Sequence, residues 1–177
     1  MPIDFQPSLA GTRVRLRPLQ RADWQPLQAI AADPQLWEQH PNPSLYQQDE
    51  FRKYFDKAMA SGCALAILDA ETGQLIGTSR YYGFDYDRAE VCIGYTFFAR
   101  SHWGGGYNGE AKRLMIDHAL SKLDAVWFHI AKSNIRSGKA IEKVGAVLDH
   151  EGSKHSYGKE MAYGFYKISR ARWAEVG

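Results

Sequence analysis

The run Trp103-Gly104-Gly105-Gly106-Tyr107-Asn108 is the part of this 177-residue chain best suited to hold an anion. It follows β-prone residues and precedes a stretch of helical period. A helix N-terminus presents N–H groups without intrahelical partners and the positive end of the aligned peptide dipoles. Glycines let the backbone approach a ligand with no Cβ in the way. Together they make a phosphate cradle. No Gly-Lys-Ser/Thr follows, so the mononucleotide loop is excluded. The run Gly104 to Gly109 satisfies the bare G-x-G-x-x-G spelling. It lies in mid-chain after the fourth strand, however, not in an opening βαβ unit, which argues against a dinucleotide site. A tight strand-to-helix turn would need the same glycines and stays the bland alternative.

Other residues could carry chemistry around that loop. Asn134 opens a helical stretch and is either a cofactor contact or a plain N-cap. Arg136, Lys139 and Lys143 are spaced to share one helix face, where they would meet phosphates or only solvent. Lys112 and Arg113 carry the same ambiguity. Glu90 starts a strand and is a candidate base or an ordinary strand-end carboxylate. His129 is out of phase with Val126, Phe128 and Ile130, so it faces either a helix layer or a cleft. Tyr157 and Glu160 lie in the loop before the last strand and could line a pocket. Tyr81, Tyr82, Phe84 and Tyr86 form an aromatic cluster that suits a pocket wall, a dimer contact or plain core. Cys63 and Cys92 sit in apolar stretches and read as buried, reduced thiols.

These residues need elements to position them. Val14 and Leu16 share a face of a first strand (Thr12 to Leu16) ending at Pro18. Asp23 can cap a helix with Trp24, Leu27, Ile30 and Ala31 at helical spacing, closed by Asp33-Pro34. After a loop at Pro41, Asn42 and Pro43, a second amphipathic helix runs from Gln47 to Ser61 and ends at Gly62. Strands follow at Cys63 to Leu68, Leu75 to Tyr82 and Glu90 to Ala99, the first two joined at Glu71-Thr72-Gly73. A helix over Gly109 to Lys122 puts Ala111, Leu114, Met115, His118 and Ala119 on one side. Then come a strand at Ala125 to Ile130, a short helix at Asn134 to Val144 with Gly145 as a left-handed cap, and a last strand near Met161 to Ile168. The pattern is an α/β (α+β) single domain over residues 1–177, on a mixed, mostly antiparallel sheet of six to seven strands with about four helices.

Composition narrows the function. The chain is 45% hydrophobic, 13% aromatic and 24% charged, which excludes global disorder. Lys+Arg 22 against Asp+Glu 20 leaves a formal charge of +2, too balanced for a dedicated nucleic-acid or anionic-membrane surface. No apolar run approaches the ~20 residues of a membrane span. The N-terminus has no signal-peptide pattern, so a cytoplasmic protein is expected.

Three motifs carry a resemblance to a known family. They are Leu16-Arg17-Pro18-Leu19, then Ile93-Gly94-Tyr95 leading through Trp103 to Ala111, then Asn134-Ile135-Arg136-Ser137 through Glu142-Lys143-Val144-Gly145-Ala146. In order and separation they resemble the GNAT superfamily of acetyl-CoA-dependent N-acetyltransferases over nearly the whole chain. The Trp-Gly-x-Gly-Tyr and Asn-x-x-Ser forms resemble the branch with the ribosomal-protein N-terminal alanine and serine acetyltransferases.

The resemblance implies that Trp103, Gly104, Gly105, Gly106, Tyr107, Asn108 and Gly109 bind the CoA pyrophosphate. Trp103 stands where the family has Gln or Arg, and Asn108 where it has Gly or Ala. It implies that the Glu90 strand and the Val126 strand splay apart, with the pantetheine arm paired to backbone near Phe97, Phe98 and Ala99. The stretch from Ile93 to Trp103 is one residue longer than the family pattern, which a β-bulge would absorb. Asn134 corresponds to an Asn that bonds the CoA arm, and Lys139 and Lys143 would meet phosphate. The family's acid Tyr is replaced by Ile141, so Ser137 becomes the candidate acid and Glu90 the candidate base. The implied reaction is direct attack of a primary amine on acetyl-CoA in a ternary complex. The acceptor is expected to be a protein N-terminal α-amine or a small-molecule amine, and homodimers are common among relatives. A non-catalytic acyl-CoA-binding module is the alternative from another class, and a nucleotide-binding oxidoreductase the more distant one.

Overall fold

The computed structural model describes residues 2–177. Eight strands form one sheet in the order β1-β2-β3-β4-β5-β6-β8-β7. They are β1 (Leu9–Ala10), β2 (Val14–Pro18), β3 (Ala64–Asp69), β4 (Leu75–Asp85), β5 (Glu90–Phe98), β6 (Ala125–Ala131), β7 (Val147–Ser156) and β8 (Lys159–Ser169). The helices are α1 (Trp24–Ala31), α2 (Gln48–Ser61), α3 (Tyr107–Leu120), α4 (Ile135–Lys143) and α5 (Arg170–Val176). Among the described residues the only parallel neighbours are β5 and β6; every other pair is antiparallel. No helix is long and apolar enough to cross a membrane among the described residues.

The mixed, mostly antiparallel sheet follows the sequence pattern, but its size exceeds the expected six to seven strands and four helices. β1 and α5 escaped the pattern, and β7, the seventh strand of the expected count, had no residues assigned to it, for physical reasons. β1 has only two residues. β7 is almost wholly exposed along its ten residues, so it carries no apolar alternation. It forms because it pairs with β8 from Val147↔Lys167 to Ser156↔Lys159. α5 has seven residues, capped by the Ser169 side chain accepting from the Arg172 N–H.

Each sheet face carries its own core. On one side α3 and α4 bring Ala111, Met115, Ile116, Ala119 and Ile141 against Leu65, Ile67, Val91, Ile93, Val126 and Phe128. On the other, Leu27 of α1 and Phe51, Phe55 and Ala58 of α2 cover Ala64, Ala66, Leu75 and Phe97. Phe51 and Phe128 are each 1% exposed. Burial of side chains this size contributes about 1.5–3 kcal/mol apiece. The strands thus alternate between two helical layers, except where register shifts interrupt the period.

Candidate active site

The gap comes first. β5 and β6 pair only at Glu90↔Ala125, Val91↔Val126 and Cys92↔Trp127. Beyond that point β5 stays with β4 as far as Phe98↔Gly77, and β6 stays with β8 as far as Ala131↔Tyr163. The two strands therefore part, and a wedge opens between them toward the N-termini of α3 and α4.

On the α3 side lies the glycine loop. Gly104 and Gly106 take φ of +75° and +83°, conformations that a side chain would strain. Gly106 is the N-cap of α3, which begins two residues earlier than the apolar period suggested. The Glu110 N–H donates to the Gly106 carbonyl at 3.0 Å, so the N–H groups just ahead have no partner within the helix. The loop is anchored by the Trp103 indole N–H donating to the Phe98 carbonyl at 3.1 Å. The Arg136 guanidinium lies 4.0 Å above the Trp103 ring and so joins α4 to the loop across the mouth of the wedge. Lys139 and Lys143, by contrast, are exposed. Asn134 caps α4 by accepting from the Ser137 N–H at 3.2 Å. That use occupies its carbonyl oxygen only. Phe97 and Ala99 turn their backbone toward β4: a Cβ on Gly77 would meet the Phe97 carbonyl at 2.2 Å, and the Ala99 N–H bonds Ile76. By alternation Phe98 is the residue whose backbone faces the wedge.

The extra residue counted in the sequence is a β-bulge. Thr78↔Phe97 and Arg80↔Gly94 are in register, so Tyr95 and Thr96 together oppose Ser79. Tyr95 has φ +53°. The bulge resets the alternation, sending Tyr95 to the α2 face and Thr96 to the α3 face. A buried cation meets each of them. Arg80 is 8% exposed, and its guanidinium lies 3.6 Å over the Tyr95 ring. Lys112 is 6% exposed, and its Nζ lies 3.4 Å from the Thr96 hydroxyl and 5.7 Å from the Phe128 ring centre. Thr96 in turn contacts the Ser79 hydroxyl at 2.7 Å. Burial pulls the Lys112 ammonium down to about 8.

The α2 face of the wedge is an aromatic chamber. Tyr95 packs on Tyr82 and Tyr54, and the Tyr54 hydroxyl donates to the Tyr95 carbonyl. His40, from the loop before α2, meets Tyr157 of the β7–β8 turn at 5.7 Å between ring centres. His129 is on this face: its ring contacts Tyr82 and Phe165, its Nε2 lies 3.6 Å from Cys92 Sγ, and its Nδ1 lies 3.1 Å from Lys154 Nζ. Burial, with Lys154 and His150 adding to it, holds the imidazole down at about 4. A neutral ring that accepts from Lys154 at Nδ1 directs its Nε2 proton at the thiol. Burial pushes that thiol up to about 11, so Cys92 is no thiolate at neutral pH. A cavity of about 670 Å³ lined by Trp24, Arg52, Phe55 and Asp56 lies on α1 and α2, away from the wedge.

Glu90 stands apart from this arrangement. It sits where β5 and β6 are still paired, and its carboxylate accepts from Lys167 Nζ and Trp127 Nε1, both at 2.7 Å. A base there would have to break an ion pair to take a proton. Glu90→Gln should therefore cost about 1–3 kcal/mol of stability, the scale of charged hydrogen bonds at a half-buried site. Its turnover should keep the wild-type pH profile; a shifted profile would return Glu90 to the chemistry. Ser137 is half-buried in the first turn of α4, the helix that follows the unpaired end of β6. Glu160 donates nothing to the chamber, because it accepts from Ser153 on the exposed hairpin.

Arg80, Arg13 and the role of Glu110 were missed from the sequence. Glu110 accepts from the N–H groups of Thr12, Arg13 and Val14 and from the Thr12 hydroxyl, at 2.6 to 3.1 Å. That clamp brings Arg13 beside the loop, where a Cβ on Gly106 would lie 3.1 Å from its Nε. Nothing in the local pattern pairs residues so far apart in the chain. Lys112 could have been ranked higher, since it shares a helix stripe with Met115, Ile116 and Ala119.

The comparisons agree with this geometry. The model of the "Acetyltransferase (GNAT) domain" matches residues 13–147. A curated relative, the uncharacterized N-acetyltransferase p20 of Bacillus licheniformis, is 29% identical over 96 residues, 50% of this chain and 53% of that protein. The match thus spans about half the length of that relative. Among solved structures, a GCN5-related N-acetyltransferase from Brucella melitensis superposes with a TM-score of 0.85 at 19% identity, covering 97% of this chain and 82% of the other. A spermidine N-acetyltransferase from Vibrio cholerae, in complex with CoA and spermine, gives 0.72 at 17% identity, covering 93% of this chain and 99% of the other. With more than half of its length matched by the family model and a wedge between β5 and β6 beside a glycine loop, the chain belongs to the GNAT acetyltransferase family.

Proposed function

We propose that the protein transfers acetyl from acetyl-CoA to a small primary amine by direct attack in a ternary complex. The observation that carries this reading is the wedge with two unlike sides. Free N–H groups, Arg13 and Arg136 border the α3 side, which suits the CoA phosphates. Aromatic rings border the α2 side, which suits an acceptor. The bulge at Tyr95–Thr96 lies between them, where the thioester would sit if the pantetheine arm follows β5 from Phe98.

The acetyl group then needs two proton adjustments. The amine must lose a proton and the departing thiolate must gain one or be stabilised. Lys112 suits the second task. It is a cation in the wedge with no carboxylate partner, and a thiolate would supply the opposite charge. Ser137, beside Asn134, is the other thiol-side candidate. Cys92 does not support an acyl-enzyme route, because burial keeps its thiol protonated. The chamber roof of His40 on Tyr157 favours a small amine over the N-terminus of a folded protein.

The test is calorimetry with acetyl-CoA and CoA, followed by thiol release with a panel of amines. Micromolar binding with release on one acceptor class is the expected result. Binding without release on any amine would favour the acyl-CoA-binding module. Absence of binding would reduce the glycine loop to a turn.

A further inference from the structure

The charges of the acceptor chamber are all of one sign. Arg80 is 8% exposed and its Nε, wholly shielded, has no hydrogen-bond partner among the described residues. It makes no ion pair either. Its charge is near enough to oppose the burial that pushes up the Tyr54 and Tyr157 phenols, the latter to about 12. Lys154, from β7, contributes the second cation and touches only the His129 ring and the Tyr163 face. The other groups that face in are neutral: Tyr54 from α2, Tyr82 from β4, Tyr95 and Cys92 from β5, and His129 from β6. The nearby carboxylates are already engaged, Glu90 by Lys167, Glu151 by Lys132 and Glu160 by Ser153.

A buried cation without an anion is costly to fold, and proteins keep one where a ligand completes it. We propose that Arg80, aided by Lys154, binds a carboxylate on the acceptor, so that the substrate class is small amino acids rather than polyamines or simple alkylamines. The guanidinium carbon lies 3.6 Å from the Tyr95 ring centre, and a guanidinium's planar fork of donors meets a carboxylate with two parallel hydrogen bonds. Tyr95 belongs to the bulge, so an acid group held there leaves the amine one side chain's reach from the wedge. A polycation finds no carboxylate in this chamber to receive it. This inference rests on the N-acetyltransferase reading above.

The experiment compares matched acceptors at saturating acetyl-CoA: phenylalanine, phenylalaninamide and phenethylamine; leucine and isoamylamine; spermidine; and a tripeptide amide with a free N-terminus. The amino acids should win by about tenfold or more in kcat/KM, because a site built for a polar group rejects the analogue that lacks it. The amide's amine is the more easily deprotonated, so this order runs against intrinsic reactivity. Arg80→Met should abolish the preference while leaving the Kd of acetyl-CoA unchanged and the melting temperature no lower. Arg80→Lys should keep part of the preference, and Lys154→Met should weaken it, so the test does not depend on one variant folding. Equal or better turnover of the amides, the decarboxylated amines, spermidine or the peptide would overturn the inference. So would an Arg80→Met protein that melts earlier and keeps the preference, which would make Arg80 a structural residue. If acetyl-CoA binds and no amine of any kind releases thiol, the N-acetyltransferase reading falls and takes this one with it.

Discussion

Replacing Lys112 with methionine should lower kcat about a hundredfold, the scale for loss of one preorganised charge at a reacting centre. The affinity for acetyl-CoA should change little if its phosphates bind at the loop, as proposed, because Lys112 lies on the buried stripe of α3 rather than in the loop. The melting temperature should hold or rise. The fold keeps the Lys112 ammonium at about 8, below its ordinary 10.5, so the folded state penalises the charged form. Between those two values the unfolded chain binds the extra proton, and stability contributed by this group rises with pH; below about 8 the penalty is constant. Methionine removes the penalty altogether. The pH profile separates this role from mere packing. A donor must be protonated, so wild-type kcat should fall as pH rises through about 8. Lys112→Arg, whose charge does not titrate in this range, should lose that descending limb and retain more activity than the methionine variant. Stopped thiol-release assays across pH 6 to 10 decide it. If Lys112→Met keeps its kcat and Ser137→Ala does not, the thiol-side role passes to Ser137.

How far the sequence reached can be judged from these residues. The glycine loop was legible in the residues themselves, as a composition break at Trp103 with β-prone residues before it and a helical period after it. The splayed strands and the bulge came from the family resemblance, the bulge as a one-residue surplus between Ile93 and Trp103 against the family pattern. The surplus became the Tyr95–Thr96 bulge. The bounds of β7 were not legible, since an exposed edge strand needs no apolar face and is held by its partner alone. Lys112 shares its stripe with Met115 and Ile116, yet was weighed only as a phosphate contact or a solvated side chain, because lysine is almost never buried. Arg80 sits in β4 between Ser79 and Tyr81 and was not singled out at all. Glu90 illustrates the converse: a carboxylate at a strand end looked available, and only the fold brought Lys167 and Trp127 to it. Sequence thus located the backbone of the site better than its charges, because charge partners are set by strand order rather than by neighbours along the chain.

The second large effect concerns Glu110, which that same blindness to distant partners concealed. Glu110→Ala should cost about 2 kcal/mol, since one carboxylate serves three backbone N–H groups and a hydroxyl at a partly solvated site. For a chain of this size that is roughly 4–8 °C in melting temperature. The pH dependence has a definite sign. Burial raises the Glu110 carboxyl, but the donors from Thr12, Arg13 and Val14 outweigh it and leave it below the usual carboxylate value. A depressed folded value means the contribution is complete above the unfolded pKa of about 4.3 and is lost as pH falls through the lower, folded one. The gap in stability between wild type and Glu110→Gln should therefore be constant near neutrality and close on acidification. The same clamp holds Arg13 beside Gly106, so its loss should also weaken acetyl-CoA binding about tenfold, or about 1.4 kcal/mol. Thermal melts of both variants from pH 3 to 7, with calorimetry at pH 7, measure the two effects separately. Weaker binding without a lower melting temperature would mean that Glu110 acts on the loop directly. A lower melting temperature with unchanged binding would detach Arg13 from the phosphate site, leaving the free N–H groups and Arg136 to hold the cofactor.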